Sequence, residues 1–126
     1  MKILVLEDEE LFAMLLHDVF TEAGFRVVSA RDGDEALQEG EALRPDLFFT
    51  DWRFAGRTSS VQVAEHLRGL NPDLKVVLLT GMMGREASDA AAAIGAFRLL
   101  VKPSSIDDIL MAAQEAAAAL CPSETE

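Results

Sequence analysis

The chain is predicted to fold as an α/β domain, a doubly wound parallel sheet of five strands with helices on both faces. Five short apolar runs recur along the sequence without period-two alternation, as strands buried on both faces do. Stripes of apolar residues at helical spacing fall between them, and glycine or proline punctuates the joins. Strict alternation of strand and helix with short connections implies parallel pairing and right-handed crossovers.

The first run is KILVL (2–6), followed by four acids, Glu7 to Glu10, and then Leu11, Met14, Leu15, Val19 and Phe20, an apolar helical stripe. Gly24 closes that helix and FRVVSA (25–30) makes the second strand. Ala36, Leu37, Gly40 and Leu43 mark the second helix, Pro45 the turn, and DLFFT (46–50) the third strand. Val63, Ala64 and Leu67 mark the third helix, with Gly69 at its end; Pro72 precedes KVVLLT (75–80). The alanine-rich stretch Ala87 to Ile94 is the fourth helix, and FRLLV (97–101) the fifth strand. Ser104-x-x-Asp107 and Ser105-x-x-Asp108 both read as starts for the last helix, whose stripe is Ile106, Ile109, Leu110, Ala113, Ala117 and Leu120.

At 126 residues the chain suits one domain, expected over 1–121 with a loose tail at 122–126. Eleven basic against 22 acidic residues give a net charge of −11, which excludes a phosphate backbone as a direct partner and favours a cation or a basic protein. Cys121 has no second cysteine to pair with, in keeping with a reducing compartment. The apolar stretch after Met1-Lys2 is too short for a signal peptide, and none approaches a membrane span, so a cytoplasmic protein is expected.

In such sheets the site lies beyond the carboxyl ends of the strands. Glu7 and Asp8 follow the first strand; the third strand ends at Asp51, the fourth at Thr80 and the fifth at Lys102-Pro103. Acids ahead of a helix commonly just complement its dipole, and that is the reading for Glu9 and Glu10. Three converging carboxylates are different: a pair about 4 Å apart repels by roughly 4 kcal/mol at an effective dielectric near 20. They call for a hard cation, Mg²⁺ or Mn²⁺. Lys102 and Thr80 add a charge and a hydroxyl for a bound anion, and Asp51 could attack an electrophilic phosphorus to give an acyl phosphate.

With these motifs assembled, the chain resembles the receiver domains of two-component response regulators over about residues 2–120. ILVLEDEELF resembles the family's acidic pair, PDLFFTDWRFAG the phospho-acceptor segment, VVLLTG the switch hydroxyl and LLVKP the phosphate-contacting lysine before a cis proline. The resemblance implies a flavodoxin-like strand order 2-1-3-4-5. It implies phosphorylation on Asp51 by a histidine kinase or phosphotransfer protein, and Mg²⁺ held by Asp8, Asp51 and the Arg53 backbone carbonyl, with Glu7 acting largely through water. It also implies output to a protein target through the face of helix four, strand five and helix five. A single-domain regulator, rather than a dedicated enzyme, is expected. Departures are Ala55 where proline is usual, Ser59-Ser60 where Asp-Gly is usual, and Leu99 where an aromatic is usual.

Two other readings were weighed. A phosphorylation-independent adaptor would suit those departures but not the retention of Asp8, Asp51, Thr80 and Lys102. A Mg²⁺-dependent phosphatase or nuclease would want Asp-x-Asp after the first or third strand, where this chain has Asp8-x-Glu10 and DWR. His17 and His66 read as surface residues of their helices, and Met82-Met83 as part of a loop.

Overall fold

A computed structural model describes residues 1–52 and 58–120. Arg53, Ala55, Cys121 and the expected tail at 122–126 lie outside the described residues. The elements run β1 (Lys2–Leu6), α1 (Glu10–Glu22), β2 (Arg26–Ala30), α2 (Gly33–Leu43), β3 (Leu47–Asp51), α3 (Ser60–Leu70), β4 (Lys75–Thr80), α4 (Gly84–Ile94), β5 (Arg98–Val101) and α5 (Ile106–Leu120). All strand pairs are parallel and the sheet order is β2-β1-β3-β4-β5, as expected.

Successive side chains of a strand point to opposite faces, so the unbroken apolar runs feed two cores. Leu4, Leu6, Phe48, Val76 and Leu78 pack with α2, α3 and α4 residues such as Ala36, Leu67 and Ile94. Ile3, Val5, Leu47, Phe49, Val77 and Leu79 pack on the other face with Leu16 and Phe20 of α1 and Ile109 and Ala113 of α5. Phe20 meets Phe25 and Phe49 edge-on, with centroids 6.0 and 5.8 Å apart. Burying each such ring contributes about 1.5–3 kcal/mol. Side-chain alternation within the central strands thus makes the sheet a rigid shelf, and its carboxyl edge is where the polar groups emerge.

The face of α1 differs from the expected stripe. Leu11, Met14 and Leu15 are 77%, 57% and 44% exposed, whereas Ala13, Leu16 and Phe20 are buried and Phe12 and Val19 pack beside them. The segment ELFAMLLHDVF is apolar on two adjoining helical faces, so spacing alone fits either one. Leu16 and Phe20, one turn apart, win because they join the core formed by Phe49 on β3 and Phe25 just ahead of β2.

Smaller differences concern helix ends. α4 begins at Gly84, three residues before the alanine run, so Gly84 and Arg85 belong to the helix and not to the preceding loop. Ser105 is the cap of α5, its Oγ accepting from Asp108 N at 3.0 Å, while the Ser104 hydroxyl donates to the Val101 carbonyl at 2.9 Å. α3 carries a full capping box: Ser59 Oγ accepts from Gln62 N at 3.2 Å and Gln62 Oε1 from Ser59 N at 2.8 Å. The Ser59-x-x-Gln62 signature stands in the sequence, where Ser59 registers only as a departure from the usual pattern.

Candidate functional site

The site grows out of the carboxyl ends of β1, β3, β4 and β5. Glu7 N donates to Ala30 O at 3.0 Å, which carries the ladder one residue past β1 before the chain turns into α1. This leaves the Glu7 side chain beneath the rim, only 2% exposed. Its Oε2 accepts from Glu9 N at 3.0 Å, and its Oε1 is buried with no hydrogen-bond partner among the described residues. Burial raises the Glu7 pKa above its ordinary value; the charges of Asp51 and Asp8 add to the effect, and the Glu9 N–H and Lys102 oppose it. Glu9 stands at the N-cap of α1 without a side-chain capping bond and Glu10 lies in the first turn, so both acids sit at the helix N-terminus as expected and complement its dipole by charge.

Asp51 is the last residue of β3, at the strand end where it is expected. Carboxylate oxygens of Glu7, Asp8 and Asp51 lie within 4.8 Å of one another. At an effective dielectric near 20, each like-charged pair at that spacing is repulsive by about 3–4 kcal/mol. Lys102 relieves part of this: its Nζ donates to Asp51 Oδ2 at 3.0 Å. The lysine is held at the rim by its backbone N–H to Thr80 O at 2.7 Å and is followed by a cis bond to Pro103.

Thr80 ends β4 and is buried. Its Oγ1 accepts from Met82 N at 3.0 Å, which ties the hydroxyl oxygen to the turn into α4 and leaves its proton to donate. The Met82 side chain packs against the α2–α4 core while Met83, at the N-cap of α4, is 73% exposed. Leu99 is half-buried against the same core, in register with Leu78.

The structure therefore brings Glu7, Asp8, Asp51 and Lys102 together and places Thr80 at the same edge, its hydroxyl oxygen accepting from the turn into α4. Arg53 lies outside the described residues. The donor set fits a hard divalent cation: it is all oxygen, it carries excess negative charge, and Glu7 Oε1 is a buried acceptor without a donor.

Two features escaped sequence reasoning. Thr50 Oγ1 and Ser60 Oγ both reach the Asp51 carbonyl, at 2.8 and 3.0 Å, across ten residues of sequence, and no local motif signals that meeting. His66 is a surface residue as expected, yet its Nε2 lies 3.0 Å from Glu41 Oε2, a carboxylate from α2 that sequence spacing around His66 could not supply.

With this geometry in place, comparison with known proteins is direct. Residues 3–114 match the model of the response regulator receiver domain. The chain is 30% identical over 115 residues to the nitrogen assimilation regulatory protein NtrX of Azorhizobium caulinodans, covering 90% of this chain and 25% of NtrX. It is 33% identical to the transcriptional regulatory protein PdtaR of Mycobacterium tuberculosis, covering 88% of this chain and 54% of PdtaR. The chain thus spans about a quarter to a half of the length of these relatives. Among solved structures it is similar to the response regulator TrrA of Thermotoga maritima, determined in complex with Mg²⁺-BeF. That similarity has a TM-score of 0.74 and 28% identity, covering 91% of this chain and 97% of TrrA. Match, strand order and rim agree: the chain belongs to the response regulator receiver domain family.

Proposed function

We propose that this receiver accepts a phosphoryl group on Asp51 from a phosphohistidine of a histidine kinase or phosphotransfer protein, and signals through a changed protein-binding surface. The observation that carries the proposal is the convergence of Glu7, Asp8 and Asp51 within 4.8 Å, with Lys102 bonded to Asp51. Receiver domains bind Mg²⁺ at such an acidic pocket. Asp8, Asp51 and the Arg53 carbonyl would hold it here, with Glu7 acting largely through water. When bound, the cation supplies charge neutralisation that lets a phosphoryl group approach the acids.

The chain's own residues do the rest. A carboxylate oxygen of Asp51 forms the new O–P bond as the P–N bond to the donor imidazole breaks, and the bonding pair returns to that nitrogen, which takes up a proton. Lys102, now on Asp51 Oδ2, is within reach of the phosphoryl oxygens and stabilises their charge. The Thr80 oxygen accepts from Met82 N and keeps its own proton, which it donates to the phosphoryl group; turning toward that group releases the Met82 bond. Loss of that bond loosens the start of α4, where Met83 offers no side-chain cap. The face of α4, β5 and α5 is then the surface a target protein reads. Hydrolysis of the acyl phosphate ends the signal.

The solved TrrA complex with Mg²⁺-BeF, on a protein of the same fold and 28% identity, supports this assignment. The test is peptide mass spectrometry after incubation with Mg²⁺ and a small phosphodonor. One phosphoryl group on Asp51, absent from Asp51→Asn, is expected; modification at any other residue overturns the assignment.

A further inference from the structure

The peptide group joining Asp51 to Trp52 is held from both ends. Its N–H donates to Leu79 O of β4 at 2.9 Å. Its carbonyl lies beyond the last β1–β3 register pair, Leu6 with Thr50, and it accepts from Thr50 Oγ1 at 2.8 Å and Ser60 Oγ at 3.0 Å. The two hydroxyls are themselves 3.1 Å apart, and both residues are 0% exposed. Two hydroxyl protons serve three short contacts. Either both are given to the carbonyl, or one hydroxyl donates to the carbonyl and the other donates to that hydroxyl, with Thr50 or Ser60 in either role. Every arrangement leaves the carbonyl engaged and neither hydroxyl with a free proton.

These bonds of the pair go to a backbone carbonyl and to each other, in a space that apolar groups would fill by packing alone. A buried hydroxyl retained without a role is costly, since its desolvation must be offset by a bond of good geometry. Here the bonds fall on one of the two peptides that flank the Asp51 Cα and so constrain the direction of its side chain relative to Glu7, Asp8 and Lys102. Ser60 opens α3, so the same contacts tie the first turn of that helix to the end of β3. At the same junction Thr58 Oγ1 bonds Asp34 at the start of α2, and Gly33 leaves room for it: a Cβ there would lie 2.2 Å from Thr58 O.

We propose that Ser60, with Thr50, is a positioning residue for phosphoryl transfer: the hydroxyl pair clamps the Asp51 carbonyl and so fixes the direction of its carboxylate. This rests on the reading of Asp51 as the acceptor. The pair contributes no group to the reacting phosphorus; it acts through the acceptor's backbone, and its loss should slow transfer even when metal is saturating.

The experiment compares the wild-type chain with Ser60→Ala, Thr50→Val, the double variant, and Thr50→Ser, which keeps a hydroxyl. Each is labelled with ¹³C and ¹⁵N, its fold checked by urea unfolding. The Asp51 carbonyl ¹³C shift is recorded, and the rate of phosphoryl incorporation from acetyl phosphate is measured at saturating Mg²⁺. Both single variants should move the Asp51 carbonyl resonance upfield and slow incorporation about threefold to tenfold, the range one buried neutral hydrogen bond supports. The double variant should be slower than either, and Thr50→Ser should stay within twofold of wild type. An unmoved carbonyl resonance overturns the clamp, and singles that fold but react within twofold of wild type reduce the pair to a packing feature. A wild-type chain that takes no phosphoryl group overturns the acceptor reading itself, and the positioning role with it, whatever the carbonyl shift reports about the clamp.

Discussion

The β1–β3 side of the rim and the β4–β5 side are built on different terms. On the first, Glu7 is 2% exposed, Asp8 and Asp51 lie within 4.8 Å of it, and the Asp51 backbone is pinned at both its carbonyl and the next N–H. On the second, Thr80 is buried with its hydroxyl oxygen accepting from Met82 N, and α4 starts without a side-chain cap. The acids are assembled against their own repulsion, while the hydroxyl rests one hydrogen bond away from the site. A receiver needs such a division. Chemistry requires groups already in place, because reorganisation at the moment of reaction adds to the barrier. Signalling requires a group with two partners of similar strength, so that a ligand can shift the balance.

Lys102 sits between the two halves, on β5's side but bonded to Asp51, and its loss should break the arrangement most. Lys102→Ala is expected to lower phosphoryl incorporation from a small donor about a hundredfold, as removal of a transition-state charge donor does. Incorporation within threefold of wild type would mean the lysine only balances the resting acids.

Within the acid half, Asp8→Asn should weaken Mg²⁺ binding by about tenfold or more, since one anionic oxygen ligand is lost from a hard-cation site. Trp52 is the only tryptophan and directly follows Asp51, so its emission reports the titration. An unchanged half-saturation point would remove Asp8 from the ligand set.

Thr80→Val addresses the other half. It removes the acceptor of Met82 N and should cost about 1 kcal/mol, with faster hydrogen exchange at the Met82 amide. Protection equal to wild type would show that this bond does not hold the α4 start.

Glu7 gives the smallest and most diagnostic effect. Burial raises its folded pKa, so the fold favours the protonated acid. That contribution is present at low pH and is lost as pH rises through the raised value. Without metal, stability should therefore decline just above the ordinary glutamate range, and Glu7→Gln should abolish the decline and raise the urea midpoint at neutral pH. Added Mg²⁺ should remove the decline in wild type, bringing its neutral-pH midpoint toward that of the variant. A lower midpoint for Glu7→Gln without metal would mean that the buried carboxylate is already compensated.

The fold was legible because the information is local. Apolar runs the length of a strand, bounded by Gly24, Pro45 and Pro72, leave little choice of element, and alternation then dictates parallel pairing. The acids and lysine were legible because a parallel sheet collects whatever follows its strands at one edge. What sequence could not show depends on which of two surfaces meets a distant partner. Leu11, Met14 and Leu15 make as good a stripe as Ala13, Leu16 and Phe20 until Phe25 and Phe49 are placed beneath the helix. Ser60 looked like a missing glycine until its hydroxyl met the Asp51 carbonyl. Glu41 could be assigned to His66 only once α2 and α3 lay side by side.

The most direct test couples the acid half to the proposed chemistry. Mg²⁺ is titrated into wild-type protein with acetyl phosphate present, and Trp52 emission and the fraction of Asp51 phosphorylated by mass spectrometry are read from the same samples. Both signals should rise together, with one half-saturation concentration, and phosphorylation should be absent in metal-free samples and in Asp51→Asn. Asp51 phosphorylated equally well with the metal chelated, or left unmodified while Trp52 reports a saturated site, would contradict the account.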